Sequence, residues 1–291
     1  MNGKKRKLIP LGIFIFVVII SGWLGVWVDS FLPEQPKGNT LGMGIFLVLP
    51  LATAILIRLF TRDWHDFGVT FNFKTNVKWY VVAFAIYPIV TVITVAIAWM
   101  GGSVQLSGFD IGELVNLAVM AAIGGFIVNI FEEFSWRGYL APKLIELKLN
   151  DWWIYIITGI VWALWHVAYY MVFLPDDVFH TLSREGYVLS SFIIMSAWSI
   201  MYVEIYRLTK SVWPCVILHV LEDAVPTVLI TTSGMMTMTK GWDLFFNPTS
   251  GIITTILFIV VGLILRSVRI KKESISGQQA PRTFRLGHVN E

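Results

Sequence analysis

Five acidic or histidine side chains lie within, or at the end of, long apolar segments of this chain. They are Glu132, Glu133, His166, His219 and Asp223. A charged side chain in the hydrocarbon layer of a membrane costs roughly 2.5–3.5 kcal/mol or more, so such residues face a protein interior or a wet cavity and usually carry function. Three carboxylates and two histidines on three segments indicate one assembled site. In such a site a carboxylate can activate water as a general base while a histidine holds that water.

The segment around the two glutamates has the spacing of a helix. Glu133 and Arg137 are four residues apart and share one helix face, whereas Glu132 points about 100° away from Glu133. The plain alternative is a helix end in water, with Glu133 and Arg137 as a surface ion pair of little energetic weight. Because residues 138–142 are still moderately apolar, the helix is expected to continue to about Leu144 and to keep Glu132 inside the bilayer.

A second acidic cluster lies in another apolar segment. His219 and Asp223 are four residues apart and share a helix face, with Glu222 beside them. A local hydrogen bond between His219 and Asp223 would satisfy both side chains and could still belong to a site. Three ionisable residues within five positions of a span favour function over packing. A lone histidine such as His166 is more often structural, but the lipid environment raises the cost of an idle imidazole.

The chain offers few metal-binding patterns. It has no His-x-x-x-His motif of a zinc protease, and its single cysteine, Cys215, excludes an internal disulfide and a cysteine-based zinc site. Zinc held in space by His166, His219 and Glu132, with an open position for water, stays an alternative. The other alternative needs no cofactor, because Glu132 itself then activates the water.

The composition indicates that membrane-spanning helices position these residues. Of 291 residues, 56% are hydrophobic and 14% are charged, whereas soluble domains carry about 25% charged residues. A membrane-spanning helix needs about 20 mostly apolar residues. The segments that qualify are Leu8–Val28, Leu41–Phe60, Trp79–Met100, Leu114–Phe131, Trp152–Leu174, Val188–Tyr206, Trp213–Thr231 and Gly251–Val268. The predicted fold is therefore an all-α membrane protein, a bundle of about eight transmembrane helices.

Basic residues are distributed asymmetrically between the loops of this bundle. Cytoplasmic loops carry an excess of Lys and Arg, and with eight spans 19 of the 22 Lys and Arg residues fall on one side. Both termini are therefore expected to be cytoplasmic. The predicted organisation is a basic cytoplasmic N-terminus over residues 1–7, a single transmembrane domain over 8–270, and a polar, disordered cytoplasmic tail over 271–291.

Three short motifs on successive spans give the chain a family resemblance. They are Glu-Glu-x-x-x-Arg-Gly at 132–138, aromatic-x-x-x-His at 162–166 and His-x-x-x-Asp at 219–223. In this order they resemble the CPBP family, which includes the CAAX prenyl proteases of the Rce1 type and the bacterial Abi and bacteriocin-immunity proteins. The resemblance covers the core from about residue 114 to residue 230. It implies a helical membrane bundle that cleaves peptide bonds within or next to the membrane.

The resemblance also implies a role for each polar residue of the first two motifs. Glu132 corresponds to the general base that activates the attacking water, and His166 to a residue that holds this water. Glu133 and Arg137 correspond to residues that orient the site, with Arg137 paired to a glutamate.

The chain departs from the family pattern at two positions. Trp162 stands where the family commonly has Phe, and Asp223 stands where prenyl proteases have Asn. His219 and Asp223 fall where the family stabilises the tetrahedral oxyanion, but an ionised Asp cannot donate a hydrogen bond as Asn can. Asp223 is therefore expected either to be protonated or to orient His219, which then donates alone.

The leading hypothesis is an intramembrane endopeptidase that acts on a hydrophobic or membrane-associated peptide or protein by glutamate- and histidine-activated water. Its partners would be this substrate and the lipid bilayer, with no nucleic acid, and its expected location is a bacterial cell membrane. Peptide pheromones, bacteriocins or membrane-protein segments then fit better than prenylated proteins. Two alternatives stay open: a non-catalytic membrane scaffold or bacteriocin-immunity protein, and a proton-coupled transporter. The absence of a detectable internal repeat counts against transport.

Overall fold

The apolar segments form long helices in a computed structural model, which describes residues 3–176, 179 and 182–279. In lipid the backbone must satisfy its own hydrogen bonds, and the α-helix does so within one segment. The helices are α1 (Gly3–Asp29), α2 (Leu41–Thr61), α3 (Phe73–Met100), α4 (Ile111–Ser135), α5 (Ala141–Glu146), α6 (Asp151–Ala168), α7 (Arg184–Thr209), α8 (Trp213–Glu222), α9 (Val228–Thr231), α10 (Asp243–Phe246) and α11 (Ile252–Gln279). The π-helical turns Trp136–Leu140, Tyr169–Phe173 and Asp223–Thr227 follow α4, α6 and α8.

Eight helical stretches in the described part of the chain are long and apolar enough to cross a membrane. Their bounds are Lys7–Asp29, Leu41–Thr61, Phe73–Met100, Ile111–Glu146, Asp151–Phe173, Arg184–Thr209, Trp213–Thr231 and Ile252–Ile275. Each of them overlaps one of the predicted spans. The predicted helical bundle is confirmed, and the chain is an integral, multi-pass membrane protein.

The fourth span continues past its predicted apolar core, as expected. After α4 the chain passes through the π turn Trp136–Leu140 into α5, so that the span ends at Glu146. Pro142 lies at the start of α5, where a missing backbone N–H is tolerated. The two glutamates therefore lie inside a continuous helical stretch and not at its end.

The last helix extends beyond the predicted domain boundary. α11 runs to Gln279, so residues 271–279, which were predicted to belong to a disordered tail, are helical. Residues 280–291 of that predicted tail and residues 1–2 of the predicted N-terminus lie outside the described residues.

Helix α7 lies at the centre of the packing. It packs against α6, α8 and α11, while α1 packs against α2 and α6, and α3 packs against α8. The second half of α7 is almost entirely buried. Strands β1 (Val104–Leu106) and β2 (Met236–Met238) pair antiparallel and join the α3–α4 connection to the α9–α10 connection.

Gly159 lets α6 approach α7 closely. A Cβ atom at this position would clash with the backbone of Ser196 on α7, so a larger residue would push the two helices apart. This contact holds α6, which carries His166, against the central helix.

Candidate active site

Each of the three sequence motifs lies at a junction between an α-helix and a π turn. The two glutamates lie in the last turn of α4, and Arg137 lies in the π turn that follows. His166 lies in the last turn of α6, before the second π turn. Asp223 begins the π turn that follows α8. π turns inside α-helices occur frequently at functional sites, and here they bring the motifs of three helices together.

Glu133 joins two helices through one carboxylate oxygen. Arg137 Nη1 donates to Glu133 Oε1 at 2.8 Å, and Nδ1 of His219 lies 2.9 Å from the same oxygen. Glu133 and Arg137 are both fully buried, so they do not form the surface ion pair that the sequence left as an alternative. The guanidinium of Arg137 also lies 4.6 Å from the ring centroid of Trp162 and 4.2 Å from that of Tyr202.

The hydrogen bonding around Glu133 and Arg137 is incomplete. Glu133 Oε2 and the Nε and Nη2 atoms of Arg137 are buried without a hydrogen-bond partner among the residues that the structure describes. A buried unpaired polar group costs about 1–3 kcal/mol. In native proteins such a group has a specific reason, for example a catalytic role or a bound water or ion.

Glu132 faces a different neighbour, as its position one residue before Glu133 predicts. Its Oε2 accepts a hydrogen bond from the indole Nε1 of Trp162 at 3.2 Å, and the residue is buried. It also interacts electrostatically with His219 and Asp223. Glu132 is thus a buried carboxylate with one neutral donor and, within the described part of the chain, no arginine or lysine partner. Such a carboxylate is a candidate general base.

His166 is oriented by its own helix. Its Nδ1 lies 3.0 Å from the carbonyl oxygen of Trp162, and because a carbonyl only accepts, Nδ1 carries the proton in this contact. In the neutral ring Nε2 is then an acceptor that can hold a water molecule. The ring stacks on Tyr170 with the centroids 5.6 Å apart and the planes at 26°, which limits its rotation.

Trp162 lies between the two histidines. Its ring centroid is 6.3 Å from that of His166 and 5.6 Å from that of His219, and its N–H reaches Glu132. The structure therefore brings the three predicted site residues around one indole ring. The sequence motif marks Trp162 as an aromatic but does not predict its hydrogen bond, because helix periodicity carries no signal for a contact between α4 and α6.

His219 and Asp223 have separate hydrogen-bond partners. His219 binds Glu133, whereas Oδ2 of Asp223 accepts from Nδ2 of Asn129 at 2.7 Å. The local bond between His219 and Asp223 is not found among the described residues. Of the two expected states of Asp223, the one in which it orients His219 is therefore not observed, and Glu133 orients the ring instead.

Asn129 is a neighbour of the site that sequence reasoning missed. Its Nδ2 donates both to Asp223 and to the backbone oxygen of Gly125, at 3.0 Å. Within residues 111–131 of α4, all of which the structure describes, Asn129 is the single buried residue. A signal was available, since Asn129 precedes Glu133 by one helix turn and shares its face.

The residues of the alternative zinc site that the sequence left open are not close together. In the described chain the ligand atoms of His219, Glu222 and Asp223 lie within 4.8 Å of one another, whereas those of Glu132, His166 and His219 do not. One imidazole and two carboxylates are donors that zinc accepts. Nδ1 of His219 and Oδ2 of Asp223 have protein partners, so these two residues would offer a metal their other atoms, Nε2 and Oδ1.

A separate acidic group lies in the loop after α2 and is neutralised by basic side chains. Its members Asp63, His65 and Asp66 are close together, but Lys143 Nζ lies 2.6 Å from Asp63 and Arg58 Nη1 lies 2.8 Å from Asp66. Partial burial opposes ionisation of Asp63, yet hydrogen bonds from Lys143 and His65 hold the pKa of its carboxyl below its ordinary value. These ion pairs fasten the loop to α2 and α5.

Comparison with known proteins bears on the segment that carries the candidate site. Residues 114–225 match the family described as type II CAAX prenyl endopeptidase Rce1-like. The match contains all three motifs and nearly coincides with the resemblance drawn from them. No curated protein matches the chain. This match over residues 114–225 supports an assignment of the segment that carries the candidate site to the Rce1-like family.

Proposed function

We propose that this chain is an intramembrane endopeptidase that hydrolyses a peptide bond with a water activated by Glu132, without a metal. The observation that carries the proposal is the placement of Glu132, His166 and His219 around Trp162 inside a membrane bundle. A buried carboxylate beside histidines is suited to take a proton from water. The match of residues 114–225 to a family described as endopeptidases supports the same reaction.

Glu132 and His166 would share the work on the attacking water. One O–H of the water donates to Glu132 and the other to Nε2 of His166, which leaves an oxygen lone pair for the scissile carbonyl carbon. Glu132 takes the proton as the C–O bond forms, and it then gives a proton to the leaving nitrogen as the C–N bond breaks. The protons balance, and Glu132 ends the cycle as a carboxylate.

We assign stabilisation of the oxyanion to His219. Its Nδ1–H donates to Glu133, which Arg137 holds in turn. Because Nδ1 is occupied, donation to the oxyanion comes from Nε2 and requires the doubly protonated ring. One donor of this kind is worth about 10²–10³ in rate. Asp223 receives the N–H of Asn129, which supports an acceptor role for Asp223 and not the donor role of the family's Asn.

The proposed substrate is a hydrophobic or membrane-associated peptide or protein that enters from the cytoplasmic side or from the bilayer. We propose that both termini are cytoplasmic, because the spans predicted from the sequence assign 19 of the 22 Lys and Arg residues to one side of the membrane. A bacterial cell membrane, and substrates such as peptide pheromones or bacteriocins, belong to the same proposal.

The direct test is cleavage by the purified protein in detergent micelles, with a panel of hydrophobic peptides and mass spectrometry of the products. We expect the wild type to cleave, and Glu132→Ala and His166→Ala to fold but not to cleave. Glu113→Ala, which changes an exposed glutamate in the first turn of α4, is the matched control and should cleave normally. Normal folding with an intact cellular phenotype in both site variants would favour a scaffold or immunity protein and overturn the proposal.

A further inference from the structure

The hydrogen bonding of Glu132 depends on one side chain. Within the described part of the chain, the indole N–H of Trp162 is the one donor to its carboxylate, at 3.2 Å from Oε2. Trp162 is 1% exposed, so water does not compete for this N–H. A buried carboxylate with a single donor is held in one orientation only as long as that donor is present.

Burial of an indole in this protein does not by itself require such a bond. The Nε1 atoms of Trp136 and Trp198 are buried without a partner among the described residues, and that of Trp165 donates to the backbone oxygen of Phe46 at 3.2 Å. Packing alone would be served by Phe, which the resemblance gives as the common residue at position 162. Packing therefore does not explain the N–H of Trp162, whose described contact is the hydrogen bond to Glu132.

The direction of this N–H is fixed by the packing around the ring. The ring centroid of Trp162 lies 6.0 Å from that of Trp198 and 5.6 Å from that of Tyr202. The guanidinium of Arg137 lies 4.6 Å from the centroid of the same ring. A donor that neighbours hold in place before the reaction needs no reorganisation when charge moves.

We propose that Trp162 is a positioning residue for Glu132. Its N–H holds Oε2, so that Oε1 faces the water and takes the proton. This inference rests on the proposed protease function. Trp162 itself does not touch the reacting atoms, so its effect passes entirely through Glu132.

The test removes the N–H and keeps the ring. Trp162→Phe does so with the family's own residue, and replacement of Trp162 by 3-benzothienylalanine does so with the bicyclic shape intact, in case the phenyl ring leaves a cavity that prevents folding. In both variants we expect kcat to fall roughly 10- to 100-fold, because a hydrogen bond to a charged group is lost. KM should stay within about twofold, because the interaction acts on the transition state and not on substrate binding.

Two controls separate positioning from packing. Trp79→Phe changes a buried indole on α3 that takes no part in the packing around Trp162 described above, and it should cleave at the wild-type rate. In a Glu132→Asp background the shorter carboxylate cannot keep the bond to Trp162. In this background Trp162→Phe should lower the residual rate by less than about twofold. If Trp162 had only a structural role, Trp162→Phe would lower the rate by the same factor in the Glu132→Asp background as in the wild type.

Equal kcat in the wild type and the benzothienylalanine variant would overturn the inference and leave the proposed protease intact. A fall in rate on Trp162→Phe that is the same with the wild-type Glu132 and in the Glu132→Asp background would also overturn it. Absence of cleavage by the wild type itself would overturn the protease proposal, and the inference with it.

Discussion

Two groups of charged side chains are buried in this membrane domain, and they differ in how completely they are paired. The arginine network consists of Asp151, Glu204, Arg207, Arg266 and Arg269. It joins α6, α7 and α11. Arg269 donates from each of its nitrogens, to Glu204 at 2.6 Å, to Asp151 at 2.7 Å and to Glu273 at 2.8 Å. Within the described chain no member of this network has a buried side-chain atom without a partner.

The glutamate–histidine cluster is paired less completely. It consists of Glu132, Glu133, Arg137, His166, His219 and Asp223. Glu132 has only the indole donor of Trp162, and the buried Oε2 of Glu133 and two nitrogens of Arg137 have no partner in the described residues. The membrane domain therefore contains one set of buried charges that is saturated and one that is not.

This difference separates the structural from the chemical use of buried charge. A fully paired set of buried charges has a structural role, because removing one partner leaves an uncompensated buried charge and destabilises the fold. An incompletely paired set is less stable but keeps groups available to exchange protons or to bind developing charge. Substitutions in the arginine network should therefore lower stability, and substitutions in the glutamate–histidine cluster should lower the rate.

The largest expected effect is on the rate of Glu132→Gln. Gln keeps the size of the side chain and an oxygen acceptor for Trp162, but it cannot take a proton from water. Cleavage should fall by about 10²–10⁴-fold, while the unfolding midpoint in detergent stays that of the wild type. Initial cleavage rates and thermal unfolding measure the two quantities. Wild-type cleavage by this variant would remove Glu132 as the general base.

The next effect is on the stability of Arg269→Met. Loss of one partner of a buried network should lower the free energy of unfolding by about 3–5 kcal/mol, with the rate per folded molecule unchanged. Denaturant titration in mixed micelles gives the stability. Arg266→Met is the matched control, since Arg266 is 29% exposed and binds one carboxylate, and it should lose about 1 kcal/mol or less. A lower cleavage rate of Arg269→Met with unchanged stability would contradict the structural role assigned to the arginine network.

A smaller effect is expected for Asp223→Asn. Asn can still accept the N–H of Asn129 through its Oδ1, so cleavage should stay within about tenfold of the wild type, the value of one ordinary hydrogen bond. Asp223→Ala loses the acceptor and should lower the rate further. If Asp223→Asn were as inactive as Glu132→Gln, Asp223 would itself exchange a proton in the reaction.

The smallest expected effect is that of metal removal. Because the proposed reaction assigns the activation of water to Glu132, which lies outside the group formed by His219, Glu222 and Asp223, we expect prolonged treatment with a chelator to leave the cleavage rate unchanged. Loss of cleavage that returns when zinc is added would show that the cluster works as a metal centre.

The sequence predicts the helices well because lipid leaves an apolar segment of this length few alternatives. It also predicts the pair formed by Glu133 and Arg137, because a four-residue spacing on a helix is a local property. Contacts between helices are a different matter. Trp162 and Glu132 are 30 residues apart and His219 and Glu133 are 86 apart. Whether such residues meet depends on helix rotation and on the π turns, which the apolar pattern does not encode.

The arginine network shows the same limit. In the sequence its members are ordinary basic and acidic residues, most of them near the ends of spans. Its arginines enter the sequence-based prediction only as positive charges that indicate the cytoplasmic side. Their pairing depends on how α6, α7 and α11 pack against one another. Glu204 lies in a predicted span and has a local basic neighbour in Arg207, at 3.7 Å, but this spacing gives no indication of its bond to Arg269.

The most direct test of the central claim follows the oxygen of the attacking water. Purified wild-type protein and Glu132→Gln are incubated with a cleavable hydrophobic peptide in water enriched in heavy oxygen, and the products are analysed by mass spectrometry. The proposed mechanism predicts one heavy oxygen atom in the new carboxyl terminus of the wild-type product, and about 10²–10⁴-fold slower product formation by Glu132→Gln. Labelled product formed at the wild-type rate by Glu132→Gln would contradict it.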